Sequence, residues 1–291
     1  MTKKQRAICI LGMHRSGTST VTGSLNILGV ELGNEKKLLT PARFNKKGFW
    51  EYSDITQSQE KLLEILTSSW DSTKPLPALW WNDEKIKPIK SKLINIVENE
   101  FIGKPLWGWK DPRNCLTVPL WKDILDELKI KLSYLIVVRN PLDVAVSLKR
   151  RNKFYKKKSI DLWSLYTLSA LLWTEKEERE LIFYDDLLKG WQKALKPVAS
   201  SLGIPWSEKI AVKASMESFI TPNLQHSNSS TEDLHRDQEL PEYIISTYEQ
   251  LLKVKQSKVY FQSEEFSHKI HENYYHLTGE HFYSDLKKQI D

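Results

Sequence analysis

The octapeptide GMHRSGTS at 12–19 places two glycines, an imidazole, a guanidinium and three hydroxyl side chains within eight residues. Where such a segment turns a strand into a helix, unpaired backbone N–H groups and the positive helix end converge on a bound anion. Gly12 and Gly17 let the backbone approach closely, so Gly12, Met13, His14, Arg15, Ser16, Gly17, Thr18 and Ser19 form a candidate phosphate cradle. The glycine spacing is that of a nucleoside-triphosphate loop, yet Thr18 stands where that motif needs a lysine to reach the terminal phosphates. The expectation is a loop that holds a 5′-phosphate and lacks the key cation for a triphosphate.

A second anion site is predicted from VVRNPLDVAVSLKRR at 137–151. Arg139 ends an apolar run that reads as a strand, and Ser147 falls about two turns into the following helix. A guanidinium fork and a hydroxyl converging from one strand end suit phosphate oxygens. The alternatives are a surface ion pair for Arg139 and a packing contact for Ser147. Two further motifs supply charge: Lys110 in GWKDPR at 108–113 and Glu51 in NKKGFWE at 45–51. Glu51 follows an aromatic pair, where partial desolvation raises a carboxylate toward a useful proton acceptor. His14 is the second candidate base, and its alternative is a hydrogen bond to the loop backbone. For Lys110 the alternative is a salt bridge to the adjacent Asp111, and for Glu51 a surface charge at a helix start. Asp111 and Arg113 read as braces.

Five ordered segments, the four above and FYDDLL at 183–188, resemble those of the PAPS-dependent sulfotransferase superfamily (PAPS, 3′-phosphoadenosine 5′-phosphosulfate). Over residues 7–206 their order is similar to the bacterial sulfotransferase family that opens with GMHRSGTS. Arg15 stands where cytosolic sulfotransferases of phenols and steroids usually carry lysine, and their Gly-rich basic closing motif is missing, so the likeness is closer to tyrosylprotein sulfotransferases. The resemblance implies a P-loop-like, three-layer α/β fold with a central, mostly parallel sheet flanked by helices. It also implies PAPS as donor, 3′-phosphoadenosine 5′-phosphate as product, 5′-phosphosulfate contacts from 12–19, and 3′-phosphate contacts from Arg139 and Ser147. Sulfuryl transfer resembles phosphoryl transfer, with charge building on the leaving oxygen, so Arg15 and Lys110 are expected on the bridging and sulfuryl oxygens, without a metal. The acceptor is a hydroxyl or amine of a small molecule or glycan; saccharide, lipid and secondary metabolite stay open. The rivals are a magnesium-dependent P-loop kinase and a noncatalytic nucleotide-binding protein.

These groups need elements to position them. Apolar runs at 7–11, 104–109, 131–138 and 180–184 read as strands, and 18–28, 57–68, 85–99 and 241–255 as helices. A helix after Asn140 is well signalled, with Asn140 as cap and Pro141 at the first position. The alternation predicts a mostly parallel sheet covered on both faces. At 291 residues the chain suits one domain, with 207–291 as a helical extension. A charge of +6 and a pI near 9.0 favour an anionic ligand, whereas the runs KKQR, KKK and KRR are too short and scattered for a nucleic-acid surface. Cys9 and Cys115 read as buried thiols of a reducing compartment. The apolar run near the start is too short for a signal peptide, and no segment approaches the roughly 18 apolar residues of a membrane span, so a cytoplasmic protein is expected. His226, His235, His268, His271, His276 and His281 lack metal-ligand spacing and read as solvated tail residues. Core burial is the first reading of Trp50, Trp80, Trp81, Trp107, Trp109 and Trp121, and the stretches 34–56 and 70–83 are the candidate acceptor walls.

Overall fold

The computed structural model describes residues 5–41, 47–221 and 227–282. Four strands, β1 (Arg6–Leu11), β2 (Leu106–Lys110), β3 (Lys131–Val138) and β4 (Arg179–Phe183), form one parallel sheet in the order β2-β1-β3-β4. Period-2 alternation explains why β1 is apolar after Arg6: Ala7, Cys9 and Leu11 enter one core, Ile8 and Ile10 the other. The register aligns Ile10 with Lys110 and Leu11 with Ile136, so the carboxyl ends of three strands come level. From β1 the chain goes to β2 on one side, then crosses to β3 on the other. A crevice opens beyond the carboxyl ends of the strands at such a switch point.

The helices are α1 (Thr18–Ile27), α2 (Ser53–Ile65), α3 (Lys87–Glu100), α4 (Asn114–Glu127), α5 (Pro141–Asn152), α6 (Lys156–Trp173), α7 (Tyr184–Lys189), α8 (Trp191–Ser201), α9 (Ile210–Phe219), α10 (Thr231–Arg236), α11 (Glu242–Gln256) and α12 (Glu264–Thr278). The larger core gathers residues from α2 to α6 and α10 to α12, and the smaller one residues from α1 and α7 to α9. This is the expected three-layer α/β architecture.

Three expectations are corrected. The helix read at 57–68 begins earlier, at Ser53, where Tyr52 is its cap and Asp54 lies in its first turn. The strand read at 104–109 runs over Leu106–Lys110. The histidines read as solvated are exposed at His235, His268, His276 and His281, but His271 is half-buried and pairs with Glu175 at 3.3 Å, on a helix, α12, that buries Phe266, Ile270, Asn273 and Tyr274. His226 lies outside the described residues, as do positions 45 and 46 of the NKKGFWE segment. Among the described residues no helix is long and apolar enough to cross a membrane. Of the six tryptophans singled out, Trp80, Trp107, Trp109 and Trp121 are buried in the larger core.

Candidate active site

The loop between β1 and α1 is built around two glycines for different steric reasons. Gly12 has φ 145°, and a Cβ there would lie 2.6 Å from the carbonyl oxygen of Val137. Gly17 caps α1 at φ 87°, and its Cβ would stand 2.0 Å from Cδ2 of Tyr184. Arg15 occupies the left-handed region at φ 71° without being glycine, a conformation that persists only where the surroundings impose it. The Ser16 N–H donates to Met13 O at 3.1 Å and closes the turn. Met13 is fully buried, its side chain part of the larger core. Gly12 N–H donates to Cys115 Sγ at 3.0 Å, so Gly12 gives the cradle its shape rather than a hydrogen bond. Thr18 is buried, and Ser19 Oγ donates to Phe49 O at 3.2 Å.

Lys110 emerges from the end of β2 with 2% exposure and donates from Nζ to Glu51 Oε1 and, at 3.3 Å, to Ser19 Oγ. Two alternatives weighed from sequence therefore fail. Lys110 does not pair with Asp111, because that carboxylate accepts Arg113 Nη1 at 3.0 and 2.9 Å and Arg113 N–H at 2.9 Å. Glu51 is no surface charge either, being 7% exposed just before the α2 cap. Arg113 in turn donates to Glu60 at 2.6 Å, which ties the β2–α4 turn to α2. Burial holds the Glu51 carboxyl above the usual carboxylate range, against the opposing pull of Lys110.

His14 is buried against Trp70 and Tyr166, with ring centroids 4.6 and 5.9 Å away, and its Nε2 has no hydrogen-bond partner among the described residues. Burial, reinforced by Arg113, Arg151, Lys110 and Arg15, pushes its pKa well below the ordinary value, so the ring is neutral at pH 7. Arg15 is pushed down to about 10 by burial and by Arg151 and Arg139, and stays charged. Its Nε donates to Ser147 Oγ at 2.9 Å.

Arg139 follows β3 directly, and Asn140 then caps α5 by accepting Leu142 N–H at 2.9 Å. Arg139 donates from Nη1 to Arg15 O at 3.1 Å and from Nη2 to Ser227 Oγ at 3.3 Å. Its guanidinium lies 5.1 Å from the Tyr184 ring centre, and its buried Nε makes no hydrogen bond among the described residues but stands 3.9 Å from Asp143 Oδ2, so the ion pair weighed for it is present and buried rather than at the surface. The polar stretch 227–230 is pinned beside it: Ser229 donates from N and Oγ to Asp143 Oδ1 at 3.0 and 2.7 Å, and Asn140 Nδ2 donates to Ser229 O at 3.0 Å.

Arg15, His14, Glu51, Lys110, Arg139 and Ser147 thus come together at the carboxyl ends of β1, β2 and β3. Four neighbours were missed from sequence. Arg151 sits one turn beyond Ser147 on α5, its guanidinium 5.7 Å from the Trp70 ring centre, and it adds to the field around His14 and Arg15. Its i,i+4 spacing from Ser147 was a usable signal, although a basic residue at a helix end reads first as a dipole partner. Tyr184, which packs on Gly17, lay in the FYDDLL motif, whereas nothing in the sequence tied Ser227 to Arg139 or Ser229 to Asp143. Among the described residues no group of three or more His, Cys, Asp or Glu is placed to hold a metal ion.

No protein-family model and no curated protein matches the chain. Several solved structures are similar to it, among them two sulfotransferase domains. A sulfotransferase domain from the curacin biosynthetic pathway shares 16% identity at a TM-score of 0.42, over 77% of this chain and 81% of that one. A sulfotransferase domain from the Synechococcus PCC 7002 olefin synthase shares 17% identity at a TM-score of 0.44, over 87% of this chain and 96% of that one.

Proposed function

We propose that this chain is a sulfotransferase that uses PAPS to sulfate a hydroxyl or amine of a small-molecule or glycan acceptor. The observation that carries the reading is a glycine cradle with no lysine at position 18, ringed by Arg15, Lys110, Arg139 and Arg151 and backed by the buried carboxylate of Glu51. The residues present fit a doubly phosphorylated nucleotide. The cradle has no room for a Cβ at Gly12 or Gly17, and among the described residues Arg139 carries a buried Nε that makes no hydrogen bond, its nearest carboxylate oxygen being Asp143 Oδ2 at 3.9 Å.

Bound PAPS would supply an activated sulfuryl group on a phosphate leaving group. Backbone groups of 13–19 hold the 5′ end, and Arg139 and Ser147 hold the 3′-phosphate. Lys110 and Arg15 bring fixed positive charge to where negative charge develops, in a place shielded from water where such charge is worth several kcal/mol. Glu51, raised by burial, takes the proton of the acceptor, while Asp111 and Arg113 keep the Lys110 turn from shifting.

Calorimetric titration of the metal-free protein with 3′-phosphoadenosine 5′-phosphate, compared with ATP plus magnesium, tests the donor. Micromolar binding of the bisphosphate and none of ATP supports the reading. Arg139→Ala is expected to weaken that binding roughly 10- to 100-fold, the scale of a charged hydrogen bond. Tight magnesium-dependent ATP binding with none of the bisphosphate would replace the reading with a kinase.

A further inference from the structure

Away from the phosphate loop, a cleft of about 760 Å³ runs beside β4. It touches every residue from Arg179 to Phe183. Successive side chains of a strand point to opposite faces, so a cleft that meets all five lies along the strand's edge rather than on one face. β4 is the outermost strand of the sheet on that side. Tyr134 N–H donates to Glu178 O, so the backbone groups of even-numbered residues turn toward β3. By the alternation of a parallel ladder, those of Arg179 and Leu181 turn outward into the cleft. A free edge of this kind is a template for another strand, and proteins ordinarily blunt it with short length, charge or a covering element.

The walls suit one kind of strand. Pro197 of α8 and Val259, the latter 82% exposed, give the cleft an apolar rim. Lys189, Lys193, Lys255 and Lys258 surround it. Lys255 is engaged by Asp186 at 2.7 Å and Lys258 by Glu180 at 2.8 Å, whereas Lys189 and Lys193 are exposed and make no ion pair among the described residues. Against four lysines and Arg179 the lining holds two carboxylates, Glu180 and Asp186, leaving an excess of three positive charges.

We propose that this edge is a docking site for an extended, acidic segment of a partner protein, added to the sheet as a fifth strand beside β4. Main-chain hydrogen bonds to Arg179 and Leu181 provide the attachment. Alternate apolar side chains contact Pro197 and Val259, and the acidic ones meet Lys189 and Lys193. The site is independent of the sulfuryl chemistry and stands whether or not that reading does.

The probe is a fluorescein-labelled peptide of alternating valine and glutamate, followed by anisotropy, with a valine–lysine peptide as control. Hydrogen exchange on the full chain locates the contact. The expected result is saturable, salt-sensitive binding with slowed exchange at Leu181, at least tenfold weaker for the lysine peptide and for the Lys189→Glu/Lys193→Glu variant. Both substitutions are at exposed positions, and an unchanged melting temperature shows that the variant is folded. No binding, equal affinity for the lysine peptide, or binding without protection of β4 overturns the proposal. So does a concentration-dependent dimer that protects the β4 edge, since a second copy would then be its occupant.

Discussion

The Glu51 carboxylate and Lys110 ammonium are withdrawn from water together, and each depends on the other for compensation. Removing one partner of a buried pair leaves an uncompensated charge, at a cost of about 3–5 kcal/mol, whereas removing both is often close to neutral. Lys110→Met is therefore expected to lower denaturant stability by that amount, and Glu51→Gln/Lys110→Met to recover most of it. The catalytic role separates from the structural one by pH. A carboxyl whose pKa is raised is protonated, and useless as a base, below that pKa, so turnover should rise with pH through it. In Glu51→Gln that acid limb should vanish and turnover fall roughly 100-fold or more, with affinity for 3′-phosphoadenosine 5′-phosphate nearly intact. If the limb persists in Glu51→Gln and disappears in His14→Asn, the imidazole is the base. The residue types at this site were readable in the sequence because anion chemistry restricts them to a few side chains. The partners were not: nothing in the order of residues says that Lys110 reaches across 59 positions to Glu51 while its neighbour Asp111 turns to Arg113.

Strand-to-helix turns work here through excluded volume as much as through charge. Gly17→Ala adds both a left-handed strain, about 1–2 kcal/mol for an L-residue, and a collision with the Tyr184 ring. Gly29 also has a positive φ of 97° but has nothing within 4 Å of its would-be Cβ. Gly29→Ala should therefore cost only that left-handed strain, about 1–2 kcal/mol, and leave nucleotide binding unchanged, while Gly17→Ala costs more and loses binding; equal effects in calorimetry and chemical denaturation would show that the Tyr184 contact is irrelevant. A second element-level device holds α12 to the end of α6. His271, with help from Ser267, pulls the Glu175 carboxyl down to about 2. A depressed carboxylate contributes stability that is present above its unfolded pKa, near 4.3, and lost as pH falls toward 2. The acid limb of stability between those values should be shallower in Glu175→Gln. The strands and α5 were legible because they carry short apolar runs and a cap. By contrast, α6 escaped because Ser159, Ile160 and 162–172 are all buried, which leaves no polar stripe to mark a helical period.

For the molecule as a whole, that all-round burial of α6 determines what the carboxyl-terminal helices do. Its surface is covered in part by α11 and α12, whose Tyr248, Leu251, Phe266, Ile270 and Tyr274 belong to the same core as β1 and β3. Arg179 links these parts at one point. It donates to Leu171 O at 2.6 Å and to Phe261 O at 2.8 Å, and its guanidinium lies 3.9 Å from the Phe261 ring centre, so β4, the end of α6 and the segment before α12 meet on one side chain. The sequence past Gly203 gave weak signals because its apolar residues are spread thinly along short helices and complete a core laid down elsewhere. We propose that residues 207–291 fold as part of one domain with 1–206 rather than as a detachable extension. The full chain should then unfold in a single transition, with near- and far-ultraviolet circular dichroism changing together. A chain ending at 206 should retain helical signal while losing the near-ultraviolet signal, bind a hydrophobic dye and fail to bind 3′-phosphoadenosine 5′-phosphate, because the partners that 227–230 give to Arg139 and Asp143 leave with it. A truncated chain that melts cooperatively and binds the bisphosphate as the full chain does would show instead that the tail is a separable unit and that α6 finds its cover elsewhere.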